Sequence, residues 1–158
     1  MSDIKEYEYP YQEENSELMV AILNSTAPVP DSYLERSENC HVAKGIEESQ
    51  AVRKFVKWIE ETTDTKLTTI WGVWYRDGGA IKWHTHNSEE DINYSFVYYI
   101  QVPDGSSSLN FSKDPAKEEE PLMIPINQGV CIVWDKDLPH CVPPSNHKGR
   151  CVISGNLK

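Results

Sequence analysis

The stretch KWHTHNSEED, Lys82 to Asp91, sets two histidines one residue apart and follows them with three carboxylates, Glu89, Glu90 and Asp91. Residues i and i+2 of an extended strand face the same way, so His84 and His86 project side by side, about 6.6 Å apart at Cα. Imidazoles at that spacing can converge on one metal ion at about 2.0–2.1 Å. The pair alone is a weak signal, because exposed strands carry such pairs with no chemical consequence. The remaining histidines add weight. His41 falls in a segment that reads as a loop and His147 in the polar turn SNHKG, so both fit solvated positions. His140 follows the apolar run VCIVW and the turn DKDLP, at the mouth of the next strand, and is the natural third ligand. Glu89, Glu90 or Asp91 competes with His86 for the second place but ranks below it, since all three lie in a polar loop past the strand.

Arg150 lies ten positions after His140 and opens RCVISGN, a run otherwise built of small and apolar side chains. A guanidinium in such a strand must be paired or exposed, because burying it alone is costly. It fits either a surface ion pair at a strand end or a fork for a carboxylate inside the fold. Ser154, four residues on, shares its strand face and is placed to donate a second hydrogen bond. The four cysteines, Cys40, Cys131, Cys141 and Cys151, form no CxxC pair and read as reduced structural thiols.

These residues need a scaffold, and the chain supplies one. At 158 residues it fits one domain, with residues 1–64 forming an N-terminal arm and supporting helices and 65–158 the core that carries the metal site. The acidic, tyrosine-rich stretch 1–15 reads as an extended arm or a disordered end. NSELMVAILNST reads as a short helix capped by Asn15 or Ser16, and APVPDSYLERSENCHVAKG as a loop. ESQAVRKFVKWIEETTD places Val52, Phe55, Val56 and Ile59 at helical spacing. From Lys66 onward short β-branched or aromatic runs follow one another: LTTIWGVWY, AIKWHTH, YSFVYYIQV, SLNF, PLMIPI, VCIVW and RCVISGN. Turn signals such as RDGG, PDGSSS and PPSNHKG separate them. The pattern predicts a mainly β fold, an antiparallel sandwich or jelly roll, with one or two N-terminal helices packed on it. SKDPAKEEEP reads as a solvated loop. Trp71, Trp74, Trp83, Tyr98 and Tyr99 read as aromatics that fill the barrel and flank its mouth.

The formal net charge of −10 disfavours a nucleic-acid partner, and no Lys/Arg run offsets it locally. No apolar stretch is long enough to span a bilayer and the first residues are not those of a signal peptide, so a cytoplasmic protein with no membrane partner is expected.

Between Thr68 and Asn156 the chain resembles the iron(II)- and 2-oxoglutarate-dependent oxygenases, most closely a small branch of marine bacteria and their phages. The resemblance rests on WYRDGGAIKWHTH, SFVYYIQVPDGSSSLNF, PINQGVCIVWDKDLPHCVPP and GRCVISGN, in that order and spacing. It implies a double-stranded β-helix and the decarboxylation of 2-oxoglutarate to succinate coupled to hydroxylase-type oxidation by molecular oxygen. It also implies host cytoplasm as the setting if the chain is viral. By this resemblance His84 matches the first ligand of the family's HxD/E motif, His86 its second and His140 the distal histidine. Arg150 matches the basic residue that holds the distal carboxylate of 2-oxoglutarate. Tyr75 fits either a hydroxyl partner of that carboxylate or a barrel aromatic. Two positions depart from the pattern. The middle ligand is usually a carboxylate, so histidine at 86 leaves an Fe(II) centre with one more positive charge and a stronger hold on an anion. The RxS serine would stand at 152, which is Val152, leaving Ser154 to help.

Two rivals share parts of this reading. Gly78 to His86 also fits the cupin pattern of glycine, five residues and HxH, with Glu90 as its carboxylate, and three-histidine iron dioxygenases that do not use 2-oxoglutarate occur among cupins. A jelly-roll binding module without catalysis is the other. Arg150 favours the oxygenase. The prime substrate, a small molecule or a peptide, is not legible.

Overall fold

In the computed structural model, which describes residues 4–87, 91–117 and 120–158, the chain forms an antiparallel sheet that curls around its own interior. Strand β1 is Lys5–Glu8; helices α1 and α2 are Asn15–Leu23 and Asp31–Arg36; β2 is Ser37–Ala43; α3 is Gln50–Thr63. The rest is strand and loop: β3 Leu67–His84, β4 Tyr94–Gln101, β5 Leu109–Phe111, β6 Leu122–Ile124, β7 Val130–Asp135, β8 His140–Val142 and β9 Arg150–Leu157. The spatial order is β1-β7-β4-β9-β3-β8-β5-β6, with β2 paired to β3. No described helix is long and apolar enough to cross a membrane.

The central strands are buried on both faces, which is why they read as continuous apolar runs and not as alternating ones. One face meets the helices: Leu18 and Ile22 of α1 and Val52, Phe55 and Ile59 of α3 pack with Ile70, Phe96, Tyr98, Cys131 and Ile153. The other lines the interior with Trp71, Val73, Tyr75, Val97, Tyr99, Phe111, Ile132, Trp134 and Val152. Helix α3 matches its periodicity, with the Ser49 hydroxyl accepting from the Val52 amide at its start.

The structure refines or overturns several expectations about local structure. Of the two readings of the N-terminal stretch, the extended one describes Lys5–Glu8, which pairs with β7, Lys5 opposite Val133. Asn15 does not cap α1 but lies within it, buried, where its Oδ1 accepts from the Tyr98 hydroxyl at 2.6 Å. The segment read as a loop before α3 contains α2 and β2. RDGG does not divide two strands, because β3 runs through it, with Gly78 at φ +77°. There β2 shifts register between Glu38 and Cys40, and Asn39 takes φ +51°. Between Tyr75 and Ala80, β3 thus carries three more residues than the β2 segment it pairs with and bulges out of the pairing. Of SKDPAKEEEP, Pro115–Lys117 forms a 3-10 turn, and residues 118 and 119 lie outside the described residues. Trp83 stands 39% exposed and fills no core, while Trp74 and Tyr98 pack on the helix side of the sheet.

Candidate metal centre and anion pocket

The long reach of β3 carries His84 to the far end of the sheet, where it pairs across to His140, the first residue of β8. His86 follows two residues later, its amide donating to the Lys136 carbonyl at 2.9 Å. The three rings close on one another. Their centroids are 4.2 Å apart for His84 and His140 and 5.2 Å for each pair with His86, and one ring nitrogen from each lies within 4.8 Å of the others. At the outer limit of that spacing an equidistant ion would sit roughly 2.8 Å from each nitrogen, so side-chain closure of under about 1 Å reaches metal–imidazole bond length.

Hydrogen bonding fixes which nitrogen faces inward. Nδ1 of His84 lies 2.7 Å from the Lys82 carbonyl and Nδ1 of His140 3.0 Å from that of Leu138. A carbonyl only accepts, so both Nδ1 atoms carry the proton and both Nε2 atoms keep a lone pair. Burial pushes the His84 pKa down to about 4 and that of His86 to about 3, and drives His140 well below its ordinary value, with neighbouring imidazoles adding to the effect on the last two. All three rings are therefore neutral at pH 7, the form that binds a metal. Trp71 stacks on His86 at 6.1 Å and 20°, and Trp134 meets His140 edge-on at 4.8 Å. Of the competing carboxylates, Asp91 is solvent-exposed and 3.5 Å from Lys158 Nζ; Glu89 and Glu90 lie outside the described residues. His147 is exposed, and His41 sits in β2 with Nε2 against the Ile22 carbonyl.

The histidines open on a pocket of about 510 Å³, counting its mouth, lined along its length by β3, β4, β8 and β9. Arg150 lies at its other end. Its side chain is 1% exposed, yet among the described residues no carboxylate lies within ion-pair distance. Instead Nη1 donates to the Ser107 carbonyl at 2.7 Å, and the guanidinium stands over Tyr75 and Tyr99, 5.0 and 5.5 Å from their ring centres. Arg150 Nε has no acceptor, nor does the Tyr99 hydroxyl. Burial pushes the Tyr99 pKa up and the adjacent Arg150 charge pulls it back, to about 12. Among the described residues, no Asp or Glu lines the pocket. Arg150, Tyr75 and Ser154 thus line the same pocket as the three histidines. Ser154, however, pairs with Trp71 and Val97, near the histidine end, whereas Arg150 pairs with Tyr75. Four residues of strand, about 13 Å, separate the two.

Sequence reasoning placed Tyr99 among the barrel aromatics, where it lies, but gave it no role beside Arg150, and it did not single out Trp134 or Arg36. Tyr99 alternates with Ser95 and Val97 along β4, but Phe96 and Tyr98 on the other face are equally apolar, so period two was hidden. Arg36, which lines the pocket from α2, fell in the segment read as a loop.

In sequence the chain matches no protein-family model and no curated protein. In structure it is similar to several oxygenases. A prolyl hydroxylase of Trichoplax adhaerens, solved with a peptide fragment of the hypoxia inducible factor oxygen degradation domain, aligns with a TM-score of 0.73 at 12% identity, over 99% of this chain and 84% of that one. An oxidoreductase of the 2OG-Fe(II) oxygenase family from Burkholderia pseudomallei gives 0.71 at 10%, over 98% and 84%. A Pseudomonas putida prolyl-4-hydroxylase gives 0.65 at 12%, over 100% and 93%. At such identities the likeness is one of fold: the chain has the double-stranded β-helix, or jelly roll, of these oxygenases.

Proposed function

We propose that the protein is an Fe(II)- and 2-oxoglutarate-dependent oxygenase, in which His84, His86 and His140 hold the metal and Arg150 holds the distal carboxylate of 2-oxoglutarate. The observation that carries this reading is a fully buried guanidinium, with no carboxylate partner among the described residues, at the far end of a pocket that opens on three converging neutral imidazoles and has no Asp or Glu among its described lining residues. A buried, unpaired cation is costly to fold around, and a dianion reaching from the metal to Arg150 offsets that cost. The shared fold supports the assignment, and the three-histidine set fits Fe(II), which imidazole suits.

Each residue has a definable task. The carbonyls of Lys82 and Leu138 fix the tautomers of His84 and His140 and aim both Nε2 lone pairs inward. Ser107 holds one end of the Arg150 guanidinium, leaving its other N–H groups for a carboxylate. Tyr75 and Tyr99 flank that cation and offer hydroxyls beside it. Phe111, Trp134 and Val142 keep the interior apolar and limit water. Iron and 2-oxoglutarate, when bound, supply the oxidising chemistry, with oxygen as oxidant and succinate and carbon dioxide as coproducts. The prime substrate is a small molecule or a peptide; the Trichoplax neighbour, which binds a peptide, supports the latter class.

A three-histidine cupin-type dioxygenase shares the metal set and differs in having no use for Arg150. Anaerobic addition of Fe(II) and 2-oxoglutarate separates the two. The oxygenase gives a visible charge-transfer band of the chelate, lost in Arg150→Ala; a protein that binds Fe(II) but gives no band with 2-oxoglutarate is not this oxygenase.

A further inference from the structure

Trp134 has a buried polar atom that the fold does not use. Strand β7 alternates, with Cys131 and Val133 facing the helices and Ile132 and Trp134 facing the interior. Trp134 is 3% exposed, lines the pocket, and packs edge-on against both His140 and Phe111, the latter at 5.2 Å and 70°. Its indole Nε1–H nevertheless has no nitrogen or oxygen acceptor among the described residues. Buried donors are almost always paired, and phenylalanine would fill much of the same space without leaving one stranded. A tryptophan in this position is a poor choice for packing and a sound one for binding.

The register says which part of a ligand it meets. Trp134 pairs with Ser95 on β4, and along the same strand Tyr99 lies opposite Val152, next to the level of Arg150. Trp134 is therefore at the histidine end of the pocket and Arg150 at the other. We propose that the Trp134 indole N–H is a hydrogen-bond donor to the keto-acid end of 2-oxoglutarate, the carboxylate beside the carbonyl that chelates the metal. The inference rests on the oxygenase reading given above. In it the cosubstrate is gripped at both ends by buried donors, a guanidinium at one and an indole at the other. The indole supplies a contact at the end that changes during turnover: the carboxylate it binds leaves as carbon dioxide, and the keto carbon, oxidised by molecular oxygen, becomes the second carboxylate of succinate one carbon farther from the indole. Trp134 thus distinguishes 2-oxoglutarate from succinate, whereas Arg150 grips the carboxylate they have in common.

The test is titration calorimetry on anaerobic, Mn(II)-loaded wild-type and Trp134→Phe protein, with 2-oxoglutarate and with succinate as separate titrants. Trp134→Phe is expected to weaken 2-oxoglutarate by roughly tenfold or more. Succinate and Mn(II) affinities should stay within about twofold of wild type. Should the variant fold poorly, the wild-type protein loaded with Zn(II) and labelled with nitrogen-15 gives the same answer. Its Trp134 indole N–H resonance, assigned through its own side-chain correlations, should move downfield with 2-oxoglutarate and hardly at all with succinate. A Trp134→Phe protein that binds 2-oxoglutarate within about twofold of wild type, an equal loss for both diacids, or an unmoved indole resonance each overturns the inference and leaves the oxygenase reading standing. Wild-type protein that binds no 2-oxoglutarate removes both.

Discussion

At the scale of single residues, the site depends on a few polar groups placed where polar groups are expensive. His140 is 5% exposed, and its replacement removes a ligand that no other described histidine can supply. His140→Ala is expected to weaken Fe(II) or Mn(II) binding by at least about 100-fold, while His147→Ala, an exposed position, leaves it unchanged; equilibrium dialysis of both variants is the check. Arg150 allows a sharper separation of function from stability. Its charge has no described carboxylate partner, so an apolar side chain of similar length relieves a desolvation cost while losing the Ser107 contact and the tyrosine faces. Arg150→Met should therefore keep the unfolding free energy measured in urea within about 1 kcal/mol of wild type yet abolish 2-oxoglutarate binding. A large stability loss would mark Arg150 as a structural residue. These two positions were legible in the sequence because their chemistry is rare: a histidine at the head of a β run and an arginine opening an otherwise apolar one. Trp134 and Tyr99 were not, since a tryptophan or tyrosine in a β run has a packing explanation that needs no site.

At the scale of elements, the site is built by one long strand and its neighbours. β3 supplies Trp71, Tyr75 and His84 from a single run, and β9 beside it supplies Arg150 and Ser154. Where β3, β9 and β4 lie side by side, Gly155 pairs with both Ile70 and Phe96. A Cβ added at Gly155 would lie 2.6 Å from the Thr69 carbonyl oxygen and 2.5 Å from the Phe96 ring, and the carbonyl is main chain that cannot swing aside. Gly155→Ala is expected to cost about 1–3 kcal/mol by overpacking, read as a fall in urea midpoint at unchanged slope. The core strands were readable because their apolar runs were dense. The elements that escaped were those stabilised from outside themselves. KEYE becomes strand only by pairing with β7, and SENCHVA only by covering β3; neither carries an apolar period of its own. RDGG has the composition of a turn, yet it forms a bulge of β3 against β2 and does not end the strand.

At the scale of the whole molecule, a chain of net charge −10 folds around an interior whose ionisable groups are nearly all held neutral. Cys131 and Cys151 are fully buried, as is Tyr98. Burial raises the Cys151 pKa to about 12 and pushes Cys131 well above its ordinary value; Tyr98 is raised too, mainly by burial, although its hydrogen bond to Asn15 works in the opposite direction. In the unfolded chain a thiol ionises near its usual pKa of about 8.5 and a tyrosine near about 10. A group whose folded pKa is raised stabilises the native state fully below its unfolded pKa and loses that contribution as pH climbs toward the folded value. Between pH 8.5 and 12 the unfolded chain thus releases protons that the folded one retains, and stability falls by up to about 1.4 kcal/mol per pH unit for each such group. Unfolding free energy measured in urea should accordingly be flat between pH 7 and 8 and decline steeply above about pH 9. Cys131→Ala should make that decline shallower, at the cost of a small packing defect near neutrality. Thiol labelling at pH 8 gives a second readout: Cys131 and Cys151 should react only at the rate of global unfolding. Fast labelling of either in the native protein, or a urea midpoint that holds constant to pH 11, would mean that the strands around them open to water and that the helix-side core of the jelly roll is not closed.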